Sequence, residues 1–332
     1  MIRFILFFGI LLCLGGCQKS RPTYTQLEGS AQGTTFRIVY EDSVSRNFSA
    51  AADSIFRVID RSMSLWDSSS LISLLNANDP TARADAHFTN VFRRAWEISD
   101  LTEGQFDCTV GPLVKAWGFS NKKNLPPPDS AQVDSLKRLI GYHKVQLEEG
   151  KLVKENPQIQ IDFNAIAQGY TVDVLADFLK AKGVKNYMVE VGGEVRAEGR
   201  NERGELWRIG IDKPIDDAAV GRPLQAVVSL NNKSLATSGS YRKFVERDGH
   251  KFSHAIDPYT GYPITHNLLS ISVLAPDCIS ADAYATAFLV MGLEKAIPLA
   301  KEKGIELYGI SVEKDGTLSV YQSLGFGAEA VE

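Results

Sequence analysis

Strand-like and helix-like patterns follow one another irregularly along this chain, and that order constrains its fold more than any single motif. Thr34-Thr35-Phe36-Arg37-Ile38-Val39-Tyr40 is rich in β-branched and aromatic residues and alternates after Thr35, which predicts a strand. Ala51, Ile55, Val58, Ile59 and Met63 recur at helical spacing, as do Val91, Ala95, Ile98 and Leu101, predicting two core-facing helices. Leu125-Pro126-Pro127-Pro128-Asp129 can continue neither a helix nor a central strand, so it predicts a surface crossing before a helix around Val133 to Ile140. Two β-rich runs between Lys144 and Phe163 flank Glu148-Glu149-Gly150-Lys151 as a hairpin, and a helix from about Ile166 to Lys182 closes at Gly183. Strand runs follow at Tyr187 to Val195, Trp207 to Ile211, Leu224 to Leu230 and Leu269 to Leu274. Ser280 then caps a helix from Ala281 to Met291. A Rossmann fold or TIM barrel requires regular strand–helix alternation; this order predicts a mixed α/β, that is α+β, domain with much antiparallel sheet.

The first residues bear on location. Arg3 precedes an apolar run from Phe4 to Leu14 that ends in Leu14-Gly15-Gly16-Cys17. A run of roughly 11 residues is too short to span a bilayer, which takes about 20, and it ends in small residues as a signal peptide does. Cys17 after Leu-Gly-Gly resembles the lipobox of bacterial lipoproteins, in which the cysteine is acylated and becomes the first mature residue. Residues 1–16 are thus expected as signal peptide, 17–30 as lipid anchor and tether, and 31–332 as the folded domain. Two cysteines remain for that domain, Cys108 and Cys278, as free thiols or as a disulfide that oxidising surroundings would permit. The net charge of -4, with no offsetting basic stretch, argues against a nucleic-acid binder.

Four segments carry residues suited to chemistry. Asp282 and Thr286 stand four apart, so they share one helical face and offer two hard oxygen donors of the kind magnesium takes. The start of that helix also offers N–H groups that favour phosphate. An acid in a first helical turn is equally a dipole-complementing residue. Asp162-Phe163-Asn164-Ala165-Ile166-Ala167-Gln168-Gly169-Tyr170 sits where a strand becomes a helix, as a ligand-holding junction or as a cap. Ser253 to Gly261 places His254 beside an Asp-Pro turn, where an imidazole with an ordinary pKa of about 6.5 suits proton transfer or simply faces solvent. Ala236 to Tyr241 reads as a phosphate-contacting loop or an ordinary turn.

In this order, these segments resemble the ApbE family of FMN transferases over nearly all of the mature chain. The matching pieces are Gly33-Thr34-Thr35-Phe36, Met63-Ser64-Leu65-Trp66, Gly104-Gln105-Phe106-Asp107, Gly111-Pro112-Leu113 with Trp117-Gly118-Phe119, Asp162 to Tyr170, Val191-Gly192-Gly193-Glu194, Thr237-Ser238-Gly239, His254 to Gly261 and Asp282 to Thr286. The resemblance implies an ApbE-like fold with a T-fold-like core and helices packed on largely antiparallel sheets. It implies FAD as substrate and Mg2+ as cofactor, with Asp282, Thr286 and the main-chain carbonyl of Ala165 as metal ligands. Flavin-nucleotide contacts carry over to Gln32, Trp66, Phe106, Asp107, Cys108, Asp162, Gln168, Thr237 and Ile256. Gln32, Gln168, Ser253 and Ala285 depart from the residues commoner in the family.

The implied reaction is attack by a Ser or Thr hydroxyl of an acceptor flavoprotein on the FMN-side phosphorus of FAD, displacing AMP, with His254 as base. The implied acceptor is an extracytoplasmic subunit of a membrane redox pump or respiratory complex, met by an enzyme lipid-anchored on the periplasmic face of an inner or outer bacterial membrane. FAD hydrolysis to FMN and AMP at the same site, and a non-enzymatic flavin- or solute-binding lipoprotein, are the competing readings.

Overall fold

The computed structural model describes residues 23–119, 126–215, 223–241, 244–247 and 250–331. The expected signal peptide and Cys17 lie outside the described residues. The first half contains β1 (Tyr24–Ala31), β2 (Thr34–Glu41), α1 (Ser49–Met63), α2 (Leu71–Asn76), α3 (Ala86–Leu101), α4 (Gly111–Ala116) and α5 (Ser130–Lys137). The hairpin β3 (Val145–Glu148) and β4 (Lys151–Lys154) leads to α6 (Ala167–Ala181). Then come β5 (Tyr187–Val191), β6 (Glu194–Glu198), β7 (Trp207–Asp212), β8 (Leu224–Leu230), β9 (Lys233–Gly239), β10 (Phe244–Arg247), β11 (His250–Ser253) and β12 (Leu268–Ala275). The chain closes with α7 (Cys278–Met291), α8 (Leu293–Lys303), β13 (Glu306–Val312), β14 (Leu318–Gln322) and β15 (Ala328–Ala330).

Eight strands form one sheet in the order β1-β2-β5-β6-β9-β12-β13-β14, and every neighbouring pair is antiparallel. Strand alternation assigns its two faces. Ile38 and Tyr40 of β2, with Val189 and Val191 of β5, pack beneath Ala52 and Phe56 of α1 and Leu175 and Leu179 of α6. Val39 and Met188 turn to the other face, where the small β15-β8-β7 sheet packs through Trp207, Ile211 and Val228. The largest cluster joins α3, α7 and α8 to β12 and β13 through Phe88, Ile98, Phe288, Ala296, Ile271 and Leu307. The α+β class and the antiparallel sheet expected from the sequence are both found.

Three differences have physical causes. Residues 17–30 were expected as anchor and tether, yet Tyr24–Ala31 is an edge strand in register with the whole of β2. Its side chains are mostly polar, with Tyr24, Leu27 and Ala31 alone packing against core clusters, so it lacks the apolar alternation of a strand. The run from Tyr187 to Val195 is two strands, since Gly192 and Gly193 adopt φ of 68° and 111° and turn the chain back on itself. Finally, α7 begins at Cys278 and is capped by Asp277, whose side chain accepts from the Ser280 N–H, so Ser280 lies inside the first turn.

Candidate functional site

The junction ahead of α6 is held in place from outside. Asn76, at the end of α2, clamps Ile161 by donating to its carbonyl at 2.8 Å and accepting its N–H at 2.7 Å. The Asp162 N–H donates to the Cys108 carbonyl at 2.8 Å, and the Asp162 Oδ1 accepts the Asn164 N–H at 2.8 Å. Burial pushes the Asp162 carboxyl above the usual range. α6 then starts at Ala167, and the cap position, Ile166, makes no side-chain cap.

At Gly169 this helix meets α7. The Gly169 N–H donates to Asp282 Oδ2 at 3.0 Å. A Cβ at Gly169 would lie 2.3 Å from the Cys278 carbonyl oxygen and 2.8 Å from the Asp282 Cβ, so the approach requires glycine. In a regular helix the Gly169 amide would reach back to the Ala165 carbonyl. Its diversion to Asp282 leaves that carbonyl without its helical donor.

The first turn of α7 does not present free donors to a phosphate, contrary to the reading of its sequence. Asp173 of α6 accepts the Cys278 N–H at 3.0 Å and the Ile279 N–H at 2.8 Å, and Asp277 accepts that of Ser280. Arg196 donates to Asp173 at 2.8 Å. Burial outweighs these donors and pushes the Asp173 carboxyl up to about 6. One turn into the helix, Asp282 is buried and Thr286 half-buried, with Thr286 Oγ1 3.1 Å from the Ser238 hydroxyl. Ser238, and not Thr237, therefore faces this helix from β9; Thr237 is exposed and pairs with Ser272 at 2.7 Å.

Gln168 lies against the β5–β6 turn, where a Cβ on Gly192 would meet its Nε2 at 2.8 Å and Thr34 and Glu194 at 3.1 Å each. Gln32 occupies the β1–β2 turn with φ 53°, and its side chain bonds to Asp60, whose carboxyl burial pushes upward. Trp66 is 64% exposed just beyond α1, an open aromatic face. Phe106 and Cys108 are buried in the largest core cluster, and Ala165 packs against it. Asp107 is committed internally: its carboxylate accepts from the Thr109 N–H at 2.7 Å, the Thr109 hydroxyl at 2.6 Å and the Tyr142 N–H at 2.9 Å. Cys108 and Cys278 are separate buried free thiols, so the two do not form a disulfide. Ile256 is buried with Leu113, Trp117, Val133 and Ile140. His254 is half-buried, its ring edge-on to Phe119 at 6.4 Å, and Trp117 ties its segment to α4 by donating to the Gly261 carbonyl at 2.9 Å.

The fold thus gathers Asp162 with Cys108, Asp282 and Thr286 with Gly169 and Ser238, and Gln168 with Thr34 and Glu194. It holds Phe106 and Ile256 in packing roles and sets His254 on a separate aromatic contact. Asp173, Asn76 and Asp60 escaped the sequence reading because their partners lie far along the chain, and Ser238 stood there only as part of the Ala236 to Tyr241 loop. For Asp173 a signal existed, since it stands one turn beyond Gly169 on α6. Among the described residues, no three His, Cys, Asp or Glu side chains converge as a metal site. The donors that the family resemblance names, Asp282, Thr286 and the Ala165 carbonyl, would be one carboxylate with two neutral oxygens, the chemistry a hard cation takes when it keeps waters and substrate oxygens. The diverted Gly169 amide fits that set, because it leaves the carbonyl without its helical donor while holding one oxygen of the carboxylate.

The sequence model of the ApbE family matches residues 32–308. The chain belongs to the ApbE family. It is 36% identical to the FAD:protein FMN transferase of Haemophilus influenzae, covering 93% of this chain and 92% of that one. It is 35% identical to the FAD:protein FMN transferase of Vibrio cholerae, covering 98% of each. Among solved structures, the flavin transferase ApbE from Vibrio cholerae superposes with a TM-score of 0.82 at 33% identity, over 92% of this chain and 98% of that one. The apo flavinyl transferase ApbE of Pseudomonas stutzeri also gives 0.82, at 29% identity, over 93% and 98%.

Proposed function

We propose that this protein transfers FMN from FAD to a Ser or Thr hydroxyl of an acceptor flavoprotein and releases AMP. The observation that carries the reading is the meeting of α6 and α7 within a chain that matches FAD:protein FMN transferases almost end to end. There the Gly169 amide donates to Asp282 and not to the Ala165 carbonyl, its helical partner. Asp282, Thr286 and the Ala165 carbonyl would hold magnesium. When bound, that ion would offset charge on the FAD diphosphate.

The chain's own residues orient and exclude. Trp66 offers its exposed ring to a flavin or adenine, and Gln32, held by Asp60, and Gln168, held beside Gly192, offer amide groups to the nucleotide. In the transfer, a new bond forms between the acceptor oxygen and the FMN-side phosphorus, and the bond to the AMP oxygen breaks. His254 takes the hydroxyl proton as base. The enzyme works outside the cytoplasm, held on a bacterial membrane by acyl chains on Cys17, and its acceptor is an extracytoplasmic subunit of a redox or respiratory complex.

Incubation of the mature chain with FAD, magnesium and an acceptor domain, followed by weighing every product, tests the activity. Transfer yields acceptor joined to FMN with AMP in equal amount. FMN and AMP beside an unchanged acceptor would make it a hydrolase, and intact FAD would make it a binder.

A further inference from the structure

We infer that the end of the large sheet at which the chain enters β1 is a membrane-docking face, seated on an anionic phospholipid surface and turned away from the flavin site. The inference rests on Cys17 as the acylated residue and on the α6–α7 junction as the site. Thr23 follows Cys17 by six residues. Fully extended, that stretch reaches at most about 21 Å, so acyl chains on Cys17 keep Thr23 within that distance of the bilayer.

Three loops are knitted together at Thr23. The Asp42 N–H donates to the Thr23 carbonyl at 3.0 Å, and the Glu41 N–H to that of Asn186 at 2.9 Å. The Tyr24 hydroxyl donates to the Arg200 carbonyl at 2.9 Å, the Arg200 N–H to Asn186 Oδ1 at 2.7 Å, and Arg46 to the Lys182 carbonyl at 3.1 Å. These loops carry what a phospholipid surface accepts: Val44 is 69% exposed, and Arg46, Lys182, Lys185, Arg200 and Arg203 are exposed around it. Arg46 lies over the Phe48 ring at 5.1 Å and Lys182 over the Phe178 ring at 5.4 Å, so apolar stems sit inward with cations at the rim. Of the acids at this end, Asp42 is buried on Arg46 and Glu41 is bonded to Asn186, whereas Glu202 and Glu205 are exposed.

Two rulers separate this end from the site. β1 has 8 residues, about 27 Å of strand, and ends at the turn carrying Gln32. α6 has 15 residues, about 22 Å of helix, running from Gln168 beside Gly192 to the Lys182 that Arg46 contacts. Docked this way, the site stands clear of the headgroups by about the length of α6. Its acceptor must then present the hydroxyl from an extramembrane domain and not from a membrane-level loop.

Depth measurement tests this on the full lipidated chain in vesicles of phosphatidylethanolamine and phosphatidylglycerol. An environment-sensitive fluorophore is attached to Val44→Cys or to Ser30→Cys at the far end of β1; Cys108 and Cys278 are buried and escape labelling. The Val44 label should be quenched by headgroup-level nitroxide lipids at least about threefold more than the Ser30 label, and Lys185→Glu with Arg203→Glu should shrink that difference while FMN transfer to a soluble acceptor domain is unchanged. Equal quenching, stronger quenching at Ser30, or none at either position overturns the docking face. Intact mass is read first: an unacylated Cys17 removes the anchor, and this inference with it, while leaving the flavin activity to stand.

Discussion

The two helices that meet at the candidate site begin in opposite ways. The first turn of α7 is closed, with Asp173 and Asp277 accepting the N–H groups of Cys278, Ile279 and Ser280. The start of α6 has no side-chain cap, and its Gly169 amide crosses to Asp282. A closed turn cannot also cradle phosphate, so α7 serves to present Asp282 and Thr286 on a stiff, almost wholly buried helix. The carbonyl that loses its helical donor, that of Ala165, belongs instead to the irregular stretch ahead of α6.

The sharpest way to break this contrast is Asp282→Ala, which removes the carboxylate and the partner of the Gly169 amide together. Magnesium-dependent transfer should fall by about 10³-fold, as loss of several kcal/mol of metal assistance implies, measured by acceptor mass. His254→Ala should reduce transfer by about 10²-fold, with FAD binding by flavin fluorescence unchanged, because a base acts on the acceptor hydroxyl and not on the nucleotide. Gly169→Ala should force the helices apart and cost about 1–3 kcal/mol in a denaturant titration. Asp173→Asn keeps the shape but offers one acceptor to two amides, at a cost of about 1 kcal/mol.

The last variant also has a signed pH dependence. The Asp173 carboxyl holds its proton up to about 6 when folded, against about 3.9 when unfolded. A raised acid contributes stability that is fully present below pH 4 and is lost as pH rises through 6. The deficit of Asp173→Asn relative to the native chain should therefore narrow across that window. A deficit that widens would mean that the amides and Arg196 outweigh burial.

Legibility followed range. α1, α3 and α6 were evident from apolar residues at helical spacing, and β2 from its alternation, because those patterns are local consequences of burial on one face. β1 was hidden, since an edge strand with Leu27 as its main inward residue looks like polar tether, and the β5–β6 turn was hidden inside an apolar run. Asp162, Gln168, Asp282 and Thr286 stood out within motifs; Asp282 and Thr286 lie on α7 where it meets α6, whereas Asp162 sits beside Cys108 ahead of α6 and Gln168 against the β5–β6 turn. Asp173 and Asn76 did not, because what they hold lies 105 and 85 residues away. The Thr237-Ser238-Gly239 motif does not say which residue faces α7; strand alternation turns Ser238 toward Thr286, while Thr237 pairs with Ser272.

The most direct test is crystallographic. Crystals soaked with FAD and manganese in place of magnesium would show the ion by anomalous scattering. The account predicts a peak bonded to an Asp282 oxygen, the Thr286 hydroxyl and the Ala165 carbonyl, with the diphosphate beside it. A diphosphate seated on the first-turn amides of α7, or bound FAD with no peak at Asp282, would contradict it.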